Sequence, residues 1–151
     1  MLKTTLLLVV LNLSLFSVSA QSWTALGTGM NGNVEAVTIY NNNLIAGGLF
    51  TTAGGTTVNH IAQWDGKSWT ALAKGFNNSV HALTVYNGNL IAGGYFYGAG
   101  SVPVNYIAQW DGTSWSALGS GLNSYVQALT VYGNNLVVGG WFSEAGSVLT
   151  N

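Results

Sequence analysis

The chain has 151 residues, three Lys or Arg against four Asp or Glu, a net charge of −1 and only 5% charged residues. That balance offers no basic footprint for a phosphate backbone, so nucleic-acid binding is not expected. With no Cys, a disulfide framework and a thiol-anchored lipoprotein are both excluded.

Residues 1–20 read as a secretory signal peptide. Lys3 supplies a positive start, Leu6 to Leu11 opens an apolar run that continues through Leu13, Leu15 and Phe16, and Ser17-Val18-Ser19-Ala20 ends in small residues. Cleavage is expected between Ala20 and Gln21. The apolar run covers roughly 13 residues and is interrupted by Asn12, short of the about 20 needed to cross a bilayer. No membrane span is therefore expected after cleavage. The mature chain keeps Lys67 and Lys74 against Glu35, Asp65, Asp111 and Glu144, a net charge of −2.

From residue 21 to 151 one unit is repeated. Ser22-Trp23-Thr24-Ala25-Leu26 returns as Ser68-Trp69-Thr70-Ala71-Leu72 and as Ser114-Trp115-Ser116-Ala117-Leu118, a period of 46 with units starting at 22, 68 and 114. A fixed period of this size marks an architecture in which each unit buries its apolar face against a neighbour. The 21 Gly and 48% apolar residues suit short strands and tight turns rather than helices.

The middle unit gives four predicted strands. Val80 to Tyr86, rich in β-branched and aromatic residues, ends at Asn87-Gly88-Asn89, a hairpin signal. Leu90 to Phe96 is a continuous apolar run, read as a strand buried on both faces. After a predicted loop from Gly98 to Pro103 come Asn105 to Trp110, stopped by Asp111-Gly112, and then Ser114 to Leu118. Four antiparallel strands in about 46 residues is the unit of a β-propeller. The expected fold is all-β, a partial propeller of two to three four-stranded blades.

Leu90-Ile91-Ala92-Gly93-Gly94, with Trp110 on the next strand and Trp115 after the following turn, resembles the kelch-type blade. The same marks stand at Leu44 to Gly48 with Trp64 and Trp69, and at Leu136 to Gly140. The unit is similar to the W-x-x-L-G…AGG-x-F…IA-x-WDG repeat of secreted bacterial proteins placed with kelch and galactose-oxidase-like propellers. The resemblance covers residues 22 to 151 and implies the fold. It implies no single activity, since propellers of this group serve as enzymes, adaptors and binding platforms. Galactose oxidase chemistry needs a Cys-crosslinked Tyr, which a chain without Cys does not have.

Most repeated residues have structural roles. The Gly pairs permit close strand approach or a bulge, the Trp residues fill the wedge between blades, and Asp65-Gly66 and Asp111-Gly112 form turns. A single carboxylate per turn is far from the six to eight oxygens calcium takes. His60 aligns with Tyr106, and His81 with Glu35 and Gln127, so neither His recurs. The four carboxylates fall at different places in the repeat, and no acid/base pair, metal site, cofactor or catalytic residue is expected.

Variation between units points elsewhere. Met30 to Asn33, Phe76 to Ser79 and Leu122 to Tyr125 differ, as do Leu49, Tyr95 and Trp141, and Thr51, Tyr97 and Ser143. Both sets belong to the same end of an up-and-down blade, so they are expected to share a rim, and loops on a rigid scaffold commonly carry binding. Tyr95, Tyr97, Tyr125 and Trp141 are the candidate ligand-binding residues. Flat rings beside neutral amides and hydroxyls suit a carbohydrate or an extracellular protein. The expected function is an exported, non-catalytic binding or scaffolding module. The alternatives are the non-catalytic part of a larger secreted enzyme and a cell-surface structural repeat without a discrete ligand.

Counting strands gives about two and three quarters blades, and typical rings need four to eight. The sequence is therefore expected to be a segment of a longer propeller. Self-association of two copies into one ring and a stable open arc are the competing explanations.

Overall fold

Alternating residues from Asn33 to Tyr40 fold back through Asn41-Asn42, both at positive φ (47° and 62°), to pair with the strand that follows. Asn tolerates this left-handed conformation better than most side chains, which is why it marks hairpin turns. The computed structural model describes residues 9–11 and 23–150. In chain order these form β1 (Val9–Leu11), β2 (Trp23–Ala25), β3 (Asn33–Tyr40), β4 (Asn43–Leu49), β5 (Thr52–Ala53), β6 (Thr56–Thr57), β7 (Ile61–Trp64) and β8 (Trp69–Ala71). The same pattern returns as β9 (Val80–Tyr86), β10 (Asn89–Gly94), β11 (Gly98–Ala99), β12 (Val102–Pro103), β13 (Ile107–Trp110) and β14 (Trp115–Ala117). It begins once more with β15 (Val126–Tyr132), β16 (Asn135–Gly140), β17 (Glu144–Ala145) and β18 (Val148–Leu149).

Two sheets are complete, in the orders β3-β4-β7-β8 and β9-β10-β13-β14, and all their pairings are antiparallel. A third holds only β15 and β16 among the described residues. The first strand of the second sheet, β9, lies between β3 and β15, so the three sheets fan out from neighbouring inner strands. This is a partial β-propeller: two four-stranded blades and the inner half of a third.

The core sits between blades. Ile45, Ile61 and Leu72 of the first blade pack with Phe76, Val80, Phe96, Trp110 and Trp115 of the second. Phe76 lies 4.1 Å from Phe96 and 4.6 Å from Trp115, centroid to centroid. Trp69 and Trp115 are buried, and each indole N–H donates to a carbonyl one unit back, at Leu26 (3.0 Å) and Leu72 (3.3 Å). Burial of each such side chain contributes about 1.5–3 kcal/mol, and the hydrogen bond removes the penalty of a buried unpaired N–H.

Two local readings change, and the third unit differs from the first two. The second strand of the middle unit ends at Gly94, not Phe96, and its register with β9 shifts between Gly93 and Gly94. The expected loop from Gly98 to Pro103 is a small hairpin, β11–β12, tied to the segment before the blade by a bridge between Phe76 and Ala99. The apolar run of the third unit is exposed along β16, unlike the buried β4 and β10. Of the predicted signal peptide, residues 1–8 and 12–20 lie outside the described residues, while Val9–Leu11 pairs antiparallel with Trp23–Ala25.

Candidate functional site

The variable segment after each outer strand meets the small hairpin of the following blade. An Asn holds each junction. The Asn31 Oδ1 accepts from the N–H of Thr51 and Thr52, Asn77 from Tyr97 and Gly98, and Asn123 from Ser143 and Glu144, all within 2.8–3.1 Å. The Nδ2 of Asn31 and of Asn123 donates onward to the Thr51 and Ser143 hydroxyls. The two variable sets are thus held on one rim.

On that rim three of the four sequence candidates come together. The Trp141 N–H donates to the Tyr125 carbonyl, and the Tyr95 N–H to the equivalent Ser79 carbonyl, at 3.0 Å each. Tyr125 lies between its neighbours, 5.3 Å edge-on from Tyr95 and 6.0 Å stacked on Trp141. Tyr95 and Trp141 stay 50% and 72% exposed, so their faces are open to a ligand. Tyr97 is exposed at the position of Thr51 and Ser143, and its ring joins no aromatic pair among the described residues.

Two residues set aside at the sequence level belong to the cluster. Tyr106 lies 6.4 Å from Tyr95, and His81 lies edge-on at 6.4 Å from Tyr125. The signal for His81 was present: Glu35, His81 and Gln127 share one repeat position on inner strands, and inner strands of successive blades are neighbours. His81 Nε2 lies 2.9 Å from the buried Ser79 hydroxyl and 3.6 Å from Glu35 Oε2. A Ser–His–carboxylate relay needs its two partners on opposite ring nitrogens. Here both approach Nε2, and Nδ1 is buried without a partner. The group is a polar bridge between the first two blades rather than an activated nucleophile.

The Asp turns are closed on themselves. Asp65 Oδ1 accepts from the N–H of Ser68 and Lys67, and Asp111 Oδ1 from Ser114 and Thr113, at 2.7–2.8 Å. These backbone donors hold both carboxyls below their ordinary range. Among the described residues no three His, Asp or Glu side chains gather where they could hold a metal. His60 is half-buried with its Nδ1 unpaired, and burial pushes its pKa down.

The sequence profile of the Rax2 C-terminal beta propeller domain matches residues 11–132, most of the chain and both complete blades. The chain belongs to that family. No curated protein and no solved structure matches it. The Rax2 match names a propeller domain, and the coarser part of the sequence resemblance, a β-propeller, stands on it.

Proposed function

We propose that this Rax2-type propeller is an exported, non-catalytic binding module whose rim takes a neutral carbohydrate chain. One observation carries the reading: Tyr95, Tyr125 and Trp141 form a continuous row of rings across two blades, with both outer members exposed. Sugar rings present C–H faces to such aromatics, and His81, edge-on to Tyr125 and beside Ser79 and Glu35, offers polar groups at the edge of the row. The blades are read as kelch-like on their Gly-Gly and Trp spacing, and export is read from residues 1–20.

The test is titration of the chain against neutral oligosaccharides, with Tyr95→Ala, Trp141→Ala and Tyr97→Ala. The first two are expected to weaken binding about tenfold each, about 1.4 kcal/mol. Tyr97→Ala, outside the row, is expected to leave it unchanged. Equal affinity in all three variants sinks the reading, and binding to peptides alone moves the rim to a protein ligand.

A further inference from the structure

The junction between the two complete blades holds a hollow that none of Tyr95, Tyr125 and Trp141 lines. It measures about 390 Å³ and lies between the exit of β8 and the β11–β12 hairpin, walled by Asn59, Lys74, Phe76, Asn77, Gly100 and Ser101. That volume falls within the roughly 300–1,000 Å³ of small-molecule sites.

Two of its residues depart from the repeat. Thr28 and Ser120 hold the position of Lys74 in the other units, so the middle junction alone receives a cation there. Lys74 makes no ion pair among the described residues. Its stem is laid against bare backbone: a Cβ on Gly100 would meet Lys74 Cβ at 3.1 Å and Cδ at 3.3 Å. A stem already held has less freedom to lose when its head group binds.

Asn77 is the second departure. Asn31 and Asn123 each donate Nδ2 to a hydroxyl, of Thr51 at 2.8 Å and of Ser143 at 3.0 Å. Tyr97 takes that position in the middle unit. The Asn77 Oδ1 still accepts from Tyr97 and Gly98, but its Nδ2 has no acceptor among the described residues.

The hollow thus offers the Lys74 ammonium, the Asn77 amide and the Ser101 hydroxyl as donors, and no carboxylate lines it. One cation among neutral donors suits a ligand with a single negative charge. Two further groups favour a sugar acid over a bare anion. Phe76 backs the hollow with an apolar ring, stacked on Phe96 at 4.1 Å. Asn59 donates its Nδ2 to the Lys74 carbonyl at 2.8 Å, which leaves its Oδ1 to accept from a hydroxyl. We propose that this hollow is a second ligand site, for a uronic acid unit. Lys74 pairs with the carboxylate, Asn77 Nδ2 donates beside it, Asn59 Oδ1 accepts from a ring hydroxyl, and Phe76 meets the C–H face. The site stands apart from the aromatic row and does not depend on carbohydrate binding there.

Titration of the chain with methyl glucuronide, methyl glucoside and acetate, followed by the backbone amide signals in NMR, tests this. The glucuronide is expected to move the signals of Gly75, Asn77, Gly100 and Ser101, and the other two ligands to bind at least about tenfold more weakly. Lys74→Gln is expected to weaken the glucuronide about tenfold, and Lys74→Arg to retain it. Tyr97→Thr returns the hydroxyl found at position 51, so it is expected to engage Asn77 Nδ2 and weaken binding several-fold. Lys74 and Tyr97 are exposed, and unchanged melting curves are expected for these variants. Trp141→Ala, which breaks the row, is expected to leave glucuronide binding intact. Equal binding of glucuronide and glucoside overturns the proposal, as does full affinity in Lys74→Gln. Acetate matching the glucuronide reduces the hollow to a bare anion site and overturns the sugar assignment. Loss of the glucuronide in Trp141→Ala puts the acid on the row instead and overturns the second site.

Discussion

At the scale of single residues the repeat exposes its own departures. Ala73 has φ of 53°, where the other units place Gly27 and Gly119 at 64° and 62°. A Cβ in the left-handed region costs about 1–2 kcal/mol, and the extra entropy of an unfolded Gly returns about 0.5–1 kcal/mol of that. Ala73 is exposed, so no packing is lost. Ala73→Gly is therefore expected to stabilise the fold by up to about 1 kcal/mol, seen as a rise of a few degrees in Tm. His60 offers a pH handle. Its folded pKa lies below the ordinary 6.5 because of burial, so the unfolded chain binds the proton more readily. The stability this represents is full above about 6.5 and is lost as pH falls through the folded value. Replacement by the Tyr found at position 106, His60→Tyr, is expected to flatten the fall in Tm just below pH 6.5; a parallel curve for parent and variant counts against it. Asp65 and Asp111, also depressed, act lower, with their contribution fading only as pH drops below about 3.8.

At the scale of elements, β10 and β16 have nearly the same sequence and opposite environments. Asn89–Gly94 is buried along almost its whole length, and Asn135–Gly140 is mostly exposed. The difference comes from neighbours: β10 pairs with β13 and receives β15, whereas β16 pairs only with β15 among the described residues. Gly93→Ala is expected to cost about 1–3 kcal/mol as overpacking against Val126, read from denaturant midpoints. The same change at Gly139, where a Cβ meets only Ala128 Cβ at 3.8 Å, is expected to be near neutral. Equal effects at both positions would show that backbone entropy rather than blade packing sets the cost.

At the scale of the molecule, the proposed export and the pairing of Val9–Leu11 with Trp23–Ala25 make opposite predictions for the N-terminus. Under the proposed export, cleavage after Ala20 would remove β1 and leave β2 as the first of the described strands. Expression in a secreting host is expected to release a protein whose intact mass begins at Gln21. Recovery of a cell-bound protein starting at Met1 would make β1 a permanent part of the fold. The binding row depends on blade order as well, since Tyr95 belongs to one blade and Trp141 to the next.

The 46-residue period, the Gly-Gly pairs and the spaced Trp residues were enough to establish four-stranded blades, because strand alternation, turn chemistry and repetition are local properties written along the chain. The rim was legible too, since two variable segments at the same end of a blade must meet. Which rings touch was not. Tyr97 was a candidate beside Tyr95, but its ring joins no aromatic pair among the described residues, while Tyr106, in the turn before β13, and His81, on β9, reach the cluster. The occupancy of a face was likewise undecidable from local pattern: Gly47, Gly93 and Gly139 are alike in sequence, and only the packing of the next inner strand separates two filled sockets from an open one. Period and turns are fixed by neighbours in the chain, whereas ring contacts and covered faces are fixed by neighbours in space.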